Sequence, residues 1–526
     1  MLAAAVAAAL VSAACTSTEA GTFVNGLASP TDTSSPTGGP APTPSRPAQQ
    51  PTVSQISFQD CTSIIKPQIE DQPGGKRDLR FGCGRLSVPL DYTDPAANPI
   101  ELFVLRVRLG GQRSRIGSLV VNPGGPGGSG VDAAVGLALS LPEDLLRRFD
   151  LVGFDPRGVA LSSPVECISN EVKDRATALD PFAVAGSGYQ AQLEVAKEIA
   201  QGCVRKYGSE LAHYNTEETA RDMDLVRQGV GDERLNYLGY SYGTRLGSVY
   251  ADLFPKRIRA MVLDGAVNPV ATEVQSAEGQ AGGFENAFSQ FAAACSRRGS
   301  ACPLQPNPRA FVTALLDKSR GSPIPSSSAG ETRRATPGNV LGAVVAALYD
   351  QEDWSKLEAA LARAKDGDSS GLFELADGYN QRDDRGQYSN LVDANMAINC
   401  ADSREQVSEP TVRRLAVQWR TKYPLFGTSL ALGLLGCLEW TVPRHPLPVV
   451  RGVGAPPLLV IGTTNDPATP YASAQVLSRQ LASAVLLTWQ GDGHTAYPKT
   501  PCVTTAVDAY LISLRVSRDG TTCPAR

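Results

Sequence analysis

At 526 residues the chain is longer than a single compact domain usually is, so a core with a second domain or a large insertion is expected. The composition is that of a globular protein, with 42% hydrophobic and 19% charged residues. The net charge of −4 and the lack of a long basic run argue against binding to nucleic acid or to an anionic membrane surface.

The first residues have the pattern of an export signal. Residues 1–14 are almost all Ala, Leu and Val, a stretch too short to span a bilayer that resembles the apolar core of a signal peptide. The small residues before Cys15 resemble a bacterial lipoprotein cleavage box, although Ser12 stands where Leu or Val is usual. We therefore predict a signal peptide over residues 1–14 and lipid attachment at Cys15, with ordinary secretion as the alternative.

A stretch rich in Ser, Thr, Pro and Gly follows, over residues 15–57. It has few large apolar side chains to bury, so we predict a disordered tether. If Cys15 is anchored, such a tether would hold the folded body away from the membrane. The predicted location is the cell envelope, on the outer face of the cytoplasmic membrane and attached only by the lipid, or else the exterior.

The cysteine content supports export. Of the 11 cysteines, ten remain once Cys15 is set aside, and an even number favours disulfides in an oxidising compartment. There is no Cys-x-x-Cys pair and no Cys/His cluster, so neither a metal nor another cofactor is predicted. The sequence leaves the connectivity open, but pairing between neighbours gives Cys61–Cys83, Cys167–Cys203, Cys295–Cys302, Cys400–Cys437 and Cys502–Cys523.

From residue 58 onward the pattern is one of strands and helices. Alternating apolar and polar residues predict two antiparallel strands, at 86–92 and 100–107. Short apolar runs predict buried strands, and longer stretches of mixed polarity predict helices. The buried strands are expected at residues 117–122, 150–155, 235–240, 258–265, 456–462 and 485–489, and helices at 167–206 and 217–230.

The segment between the strands at 258–265 and 456–462 has a different pattern, because it is mostly helical. Helical stretches are predicted at residues 284–294, 308–318, 340–348, 354–364 and 412–422. Strands that alternate with helices and are interrupted by one helical insertion predict an α/β fold. We expect a core with a mostly parallel sheet and helices on both faces, at 58–272 and 451–526, with a helical cap at 273–450 before the last strands.

Residues 235–254 have the pattern of a strand, a sharp turn and a helix. Ser241 lies between Gly239 and Gly243, which gives Gly-x-Ser-x-Gly in the context where that motif is meaningful. A nucleophilic serine must stand at a strand end on strained backbone, where a Cβ at either glycine would collide with a neighbouring element. A plain connection can also contain serine, but this context favours Ser241 as a nucleophile.

A serine nucleophile needs a histidine base, and in this architecture the base follows a late strand. The chain has three histidines. His213 precedes Ser241, and His445 precedes the last two predicted strands. Only His494 directly follows a late strand, so we predict that His494 is the base.

The acid that orients this base should follow the preceding strand, so that the chain order is Ser, acid, His. Asp466 stands in that place and is our first choice. Asp264, at the end of the strand after Ser241, is the second choice. Asp492 is a competitor that is too close to His494 in sequence to turn back onto its ring.

Pro123–Gly130 is a glycine-rich run directly after a buried strand. A plain turn is one interpretation, but so many glycines more often allow the backbone to approach a ligand. The run lacks the Lys-Ser/Thr ending of a phosphate-binding loop. We expect the backbone N–H groups of Tyr242 and Gly125 to form an oxyanion hole.

The chain resembles the actinobacterial secreted tripeptidyl aminopeptidases and their mycobacterial envelope serine-protease relatives, in the proline-iminopeptidase-like branch of the α/β-hydrolases. The resemblance extends from about Cys61 to Cys523. The motifs that carry it are Pro123–Gly127, Asp155–Gly158, Gly239–Thr244, Asp466–Pro470 and Gly493–His494. In that family the elbow serine, the late Asp and the late His form the triad, which implies these roles for Ser241, Asp466 and His494. Pro123 stands where the family usually has His, which leaves the backbone donors unchanged.

The resemblance implies release of single residues or short peptides from a free N-terminus, with esterase activity on small acyl substrates as a side reaction. The expected partners are therefore peptides or proteins with free N-termini. An exopeptidase of this kind must bind an α-ammonium group, and a cap carboxylate would do so. Glu285 and Asp402 are candidates, although each could be an ordinary solvated charge.

Two other classes remain open. An envelope esterase or lipase could use the same fold, because the fold does not determine the substrate. A cap dominated by apolar surface would favour that class. A non-enzymatic binding protein on a hydrolase scaffold is disfavoured, because all three triad residues are present.

Overall fold

The computed structural model describes residues 53–96 and 98–525. The predicted signal peptide, Cys15 and nearly all of the predicted tether lie outside these residues. Ile56, which the sequence places at the end of the tether, is buried, and its N–H donates to the carbonyl of Gly229. Its side chain occupies the space where a Cβ on Gly84 or Gly229 would lie. The folded body therefore includes residues just before the predicted boundary at residue 58.

Twelve strands are present in the described part of the chain. They are β1 Gln59–Asp60, β2 Leu79–Pro89, β3 Pro99–Leu109, β4 Gly117–Asn122, β5 Phe149–Phe154, β6 Leu235–Tyr240, β7 Ile258–Asp264, β8 Ile324–Pro325, β9 Arg334–Ala335, β10 Leu458–Asn465, β11 Ala484–Asp492 and β12 Thr521–Cys523. Ten of these form one sheet in the order β1-β2-β3-β5-β4-β6-β7-β10-β11-β12, and β8 pairs with β9 alone.

The sheet changes from antiparallel to parallel at β5. The first three strands and the β3–β5 pair are antiparallel, and every pairing from β5 to β12 is parallel. The central strands β4, β5 and β6 are buried at every position, as parallel strands covered on both faces must be. The predicted strands are confirmed, whereas β1, β8, β9 and β12 have only two or three residues each and give no pattern to detect.

The helices connect these strands. They are α1 Thr62–Ile69, α2 Gly130–Ser140, α3 Glu143–Leu146, α4 Asn170–Ala178, α5 Gly186–Tyr207, α6 Thr216–Gly229, α7 Tyr242–Leu253, α8 Glu273–Arg297, α9 Pro308–Gly321, α10 Pro337–Leu348, α11 Trp354–Lys365, α12 Ser370–Asn380, α13 Leu391–Asp402, α14 Glu409–Lys422, α15 Gly427–Gly433, α16 Tyr471–Gln480 and α17 Pro501–Ser513. Short 3₁₀ turns occupy Gly208–His213, Pro255–Arg257, Gly299–Ala301, Gln351–Asp353 and Leu434–Cys437.

Helices cover both faces of the sheet. On one face Met223 of α6 and Leu246 of α7 belong to a buried apolar cluster with β6 and β7. On the other face Ala134 of α2 and Val507 of α17 belong to a second buried cluster. A mostly parallel sheet between two helical layers is the α/β-hydrolase arrangement that the sequence predicts.

The chain between β7 and β10 is helical, apart from the β8–β9 pair. All five helical stretches predicted there fall within observed helices, whereas α12, α13 and α15 were not predicted. The segment has its own aromatic core, which includes Phe288, Phe291 and Phe426. The insertion leaves the sheet at the C-terminal end of β7, which is the edge where Ser241 lies. Because β10 runs parallel to β7, the chain then returns to the opposite edge before β10 begins.

Helices α4 and α5, which the sequence assigns to the core, also contact the insertion. Lys173 of α4 forms a buried ion pair with Asp393 of α13, with 2.5 Å between the charged atoms. Tyr189 of α5 packs in one apolar cluster with Val412 and Trp419 of α14. The cap is therefore supported from two places in the chain.

The five disulfides have the predicted neighbouring connectivity. Three of them join the core to itself or to its connecting helices, and Cys295–Cys302 and Cys400–Cys437 lie within the insertion. Five disulfides indicate an exported protein, since cytosolic thiols are kept reduced. Among the described residues, none of the helices combines the length and the apolar character that crossing a membrane requires.

Candidate active site

Ser241 is the whole connection between β6 and α7. Its backbone has φ 53° and ψ −123°, a conformation that residues with a side chain rarely adopt. The N–H of Ser241 donates to the carbonyl of Asp264 at 2.9 Å. The N–H and the hydroxyl of Thr244 donate to the carbonyl of Ser241 at 2.8 and 2.7 Å. These bonds hold the strained turn at the end of the central strand.

The glycines on either side of this turn are required by close packing. A Cβ on Gly239 would lie 2.5 Å from the carbonyl oxygen of Gly243. A Cβ on Gly243 would lie 2.8 Å from Oδ1 of Asn122. The steric reason that the sequence gives for Gly-x-Ser-x-Gly is therefore present in the structure.

The loop Pro123–Gly130 passes directly beside Ser241. A Cβ on Gly124, which has φ +99°, would lie 2.9 Å from Cβ of Ser241 and 3.1 Å from the backbone nitrogen of Tyr242. Within the described residues, the backbone N–H groups of Tyr242 and Gly125 have no hydrogen-bond partner. The Tyr242 N–H also lies at the N-terminus of α7, where the helix dipole favours negative charge. The two predicted donors are therefore unengaged next to the serine.

The Asp155–Gly158 motif supports this loop. The carboxylate of Asp155 accepts hydrogen bonds from the Ser129 hydroxyl at 2.6 Å and from the Val131 N–H at 3.2 Å, which fixes the start of α2. Burial raises the pKa of Asp155 to about 6. Arg157 is fully buried and pairs with Asp222 at 2.8 Å, so it joins the loop after β5 to α6.

Asp466 and His494 form a buried pair at the ends of β10 and β11. Both carboxylate oxygens of Asp466 lie 2.9 Å from Nδ1 of His494. The carboxylate also accepts the N–H groups of Ala468 and Thr469, at 2.9 and 2.8 Å. Nε2 of His494 is buried and has no hydrogen-bond partner among the described residues. The imidazole is therefore oriented on one side and open on the other, as a base that acts on Ser241 would have to be.

The rival acids are engaged elsewhere. Asp264 accepts the N–H groups of Ala496 at 3.0 Å and of Tyr497 at 2.7 Å, and so holds the loop that follows His494. Burial raises the pKa of Asp264 to about 6, although these N–H groups oppose the shift. Asp492 accepts a hydrogen bond from Asn465 at 3.0 Å. Neither makes a hydrogen bond to the ring of His494.

The other two histidines lie near each other, and neither has Asp466 as a partner. Nδ1 of His213 lies 3.0 Å from Oε1 of Glu218. The ring centroids of His213 and His445 are 6.5 Å apart. His494 is thus the histidine that the structure brings to the end of β11, beside Asp466.

Two residues at this site were not predicted from the sequence. The hydroxyl of Thr469 donates to Asp466 at 3.0 Å and lies 3.3 Å from Nδ1 of His494. From the insertion, the Tyr349 ring packs edge-on against the His494 ring at 5.3 Å, and its carbonyl accepts the His494 N–H at 2.7 Å. Thr469 lies within the Asp466–Pro470 motif, which could have indicated it, whereas no sequence pattern marks Tyr349.

A cavity of about 600 Å³ lies between α7 and the helices of the insertion. Ser241, Asp466 and His494 are not in its wall, but their neighbours are. Arg245 lies one helical turn beyond Ser241, and Gln280 donates to the carbonyl of Ala468 at 3.3 Å.

Two further wall residues link the cavity to the other loops of the site. Nδ2 of Asn395 donates to the carbonyl of Pro126, in the glycine loop, at 2.9 Å. The ring of Tyr379 lies 5.5 Å from that of Tyr349, which covers His494. The cavity therefore adjoins the serine, acid, base and glycine-loop segments together.

The two cap carboxylates named from the sequence have different environments. Glu285 forms an ion pair with Arg309 and accepts the N–H of Leu425 at 3.1 Å, so it acts within the cap. Asp402 is buried in the cavity wall and accepts hydrogen bonds from the N–H and the hydroxyl of Thr216. Of the two, only Asp402 faces the cavity.

The sheet, the strained elbow serine and the buried Asp–His pair define a serine hydrolase of the α/β-hydrolase fold. A family model described as TAP-like protein matches residues 423–523. The chain is 37% identical to serine protease Hip1 of Mycobacterium tuberculosis, over 89% of this chain and 91% of that protein. It is 37% identical to carboxylesterase B of M. tuberculosis (92% and 91% covered) and 32% identical to tripeptidyl aminopeptidase of Streptomyces lividans (84% and 83% covered). The chain belongs to the family of these proteins.

Proposed function

We propose that the protein is an exported serine exopeptidase that cleaves a peptide bond near a free N-terminus. In this proposal Ser241 is the nucleophile, His494 the base and Asp466 the group that orients the base. Nε2 of His494 takes the hydroxyl proton as Oγ of Ser241 attacks the carbonyl carbon. The hydrogen bond that Nδ1–H donates to the Asp466 carboxylate keeps the ring in the tautomer that leaves Nε2 free to accept this proton.

The tetrahedral intermediate then carries a negative oxygen, which the N–H groups of Tyr242 and Gly125 would bind. Each such donor is worth about 10²–10³-fold in kcat in enzymes of this type. Collapse of the intermediate breaks the C–N bond, and His494 returns the proton to the leaving amine. Water then attacks the acyl-enzyme while His494 takes a proton from it, and the same two N–H groups bind the negative oxygen. His494 returns the proton to Oγ of Ser241, and the N-terminal segment is released as an acid.

The observation that supports exopeptidase action is the cavity under the insertion, which lies beside the segment that carries Ser241. A cavity of about 600 Å³ next to the serine has room for a short N-terminal segment of a peptide. The names of two relatives, a serine protease and a tripeptidyl aminopeptidase, agree with peptide substrates. The name of a third, carboxylesterase B, favours the second candidate function, an envelope esterase on the same fold.

The two functions differ in what the cavity must bind. A peptide with a free N-terminus brings a charged ammonium into a partly desolvated site, where losing its ion pair would cost about 3 kcal/mol. Acetylation of the amine should therefore lower kcat/KM by roughly two orders of magnitude. An acyl ester has no such group.

The test is a substrate panel with the purified protein. It contains aminoacyl, dipeptidyl and tripeptidyl amides with free and acetylated amines, and short and long acyl esters. Ser241→Ala serves as the control, since it should lose all turnover and all labelling by a serine-directed phosphonate. Equal turnover of free and acetylated amides, together with strong activity on long esters, would contradict the exopeptidase function and favour the esterase function.

The location is part of the same proposal. The disulfides support export, and the sequence before residue 53 supports attachment to the envelope through a lipid on Cys15. A tethered enzyme would meet peptides outside the cytoplasm, in keeping with substrates that have free N-termini.

A further inference from the structure

One end of the cavity carries two carboxylates on different helices. Asp402 is the last residue of α13 and is 6% exposed. Its oxygens accept the Thr216 N–H at 3.0 Å and the Thr216 hydroxyl, which in turn lies 2.5 Å from the hydroxyl of Tyr242. Because Tyr242 follows Ser241, this chain of contacts connects the carboxylate to the nucleophile's neighbour.

Glu273, the first residue of α8, is the second carboxylate in the wall. Its Oε1 accepts the N–H of Arg404, two residues beyond Asp402, at 2.8 Å. Its Oε2 is buried and has no hydrogen-bond partner within the described residues. A buried carboxylate oxygen without a donor is costly, so a bound donor at this position would be stabilised.

The charges around the two carboxylates are of both signs. Arg245, Arg404 and Glu405 also line the cavity. Arg245 and Glu217 act on Asp402 through space, and Arg444 acts on Glu273 in the same way. Burial raises the pKa of Asp402 to about 6, although the hydrogen bonds from Thr216 oppose the shift. Asp402 is therefore ionised at neutral pH, with Arg245 favouring and Glu217 opposing its charged form.

We propose that Asp402 and Glu273 form the subsite for the α-ammonium group of the substrate. An ammonium has three N–H donors and needs several acceptors in a desolvated site, which two carboxylates from different helices supply. This assignment rests on the proposed exopeptidase function and names the group that selects its substrates.

The distance from the nucleophile suits a short peptide. A tyrosine side chain of about 6.5 Å and two hydrogen bonds place the Asp402 carboxylate within about 12 Å of the Tyr242 Cα. An extended peptide covers about 3.3–3.6 Å per residue, so three residues span about 10 Å. A segment of up to three residues can therefore lie between Ser241 and this subsite.

The test compares isosteric variants of the full chain. Asp402→Asn and Glu273→Gln each keep one oxygen that can accept, from the Thr216 N–H and from the Arg404 N–H, but remove the charge. Glu285→Gln is the matched control, because Glu285 is a cap carboxylate that lies outside the cavity. The readout is the ratio of kcat/KM for free and acetylated forms of one tripeptidyl amide, with phosphonate labelling of Ser241 to show that each variant is assembled.

We expect Asp402→Asn to lower this ratio by about a hundredfold and Glu273→Gln by about tenfold, with Glu285→Gln unchanged. An unchanged ratio in both cavity variants would overturn the subsite. If the phosphonate does not label Ser241 in the Asp402→Asn variant, the ratio measured for Glu273→Gln alone decides whether the subsite exists. A ratio near one in the unmodified protein would instead refute the exopeptidase function, so the two failures are distinguishable.

Discussion

The sheet edge that carries Ser241 and the insertion that covers it are built differently. At the edge, Ser241 and Asp466 are each held by several bonds from nearby residues, as Asp466 is by the N–H groups of Ala468 and Thr469. Apart from Tyr349, which packs on the His494 ring and accepts the His494 N–H, the insertion touches the same site through isolated contacts. Asn395 reaches Pro126 and Gln280 reaches Ala468, each by a single hydrogen bond.

This difference indicates that the two regions have separate roles. The edge is preorganised and supplies the chemistry, so changes there should slow every substrate equally. The insertion forms the cavity and can be altered with less loss of chemistry, so changes there should alter selection between substrates or the position of one loop. The predictions below separate these two kinds of effect.

The largest effect is expected at the acid. Asp466→Asn should lower kcat about 10⁴-fold for amides and esters alike, because the amide can hold His494 in the wrong tautomer. Asp264→Asn is the comparison, since Asp264 accepts the backbone N–H groups of Ala496 and Tyr497 and not the ring. It should lower the free energy of unfolding by about 1–3 kcal/mol and change kcat of the folded protein by less than tenfold.

Steady-state kinetics and urea unfolding of the two variants check this prediction. If Asp264→Asn caused the larger loss of kcat, the assignment of the acid would have to be exchanged between the two residues.

A smaller effect is expected where the insertion contacts the glycine loop. Asn395→Ala removes the donor to the Pro126 carbonyl, next to the Gly125 N–H that we place in the oxyanion hole. We expect kcat to fall about tenfold to a hundredfold with little change in KM, since losing one oxyanion donor outright costs 10²–10³-fold.

The matched control for this change is Asn380→Ala. Asn380 also lines the cavity, but its side chain donates to Ala376 of its own helix, at 2.7 Å. Equal losses of kcat in the two variants would show that the contact with Pro126 does not position the loop. The rate of phosphonate labelling gives a second measure that does not depend on the substrate.

The sequence was most informative where local geometry limits the residue type. The elbow at Ser241 needs glycines on both sides and a strand before it, so its position could be predicted from a few residues. The chain order then predicted Asp466 and His494, which the structure places 2.9 Å apart. The catalytic role of these residues stays a prediction until the variants are measured.

The sequence was least informative about contacts between the site and residues far from it in the chain. Tyr349 and Asn395 contact the site from α10's end and from α13, and no local spacing links either to Ser241. Between Glu285 and Asp402 the sequence could not choose, because the choice depends on which helix face the insertion turns toward the core. The burial of Ile56 shows the same limit, since one apolar residue in a polar stretch gives no periodic signal.

The smallest effect is the pH dependence of substrate selection. The pKa of Asp402 is raised to about 6 by burial, so the ionised fraction falls from about 90% at pH 7 to about 10% at pH 5. The substrate's α-amino group, with a pKa near 8, stays protonated over this range. Groups of the catalytic machinery titrate with both substrates and cancel in the ratio of kcat/KM for free and acetylated amides. This ratio should therefore fall several-fold as the pH is lowered from 7 to 5, and Asp402→Asn should abolish the fall. A ratio that is constant with pH in the unmodified protein, or one that falls equally in the variant, would show that another group binds the ammonium.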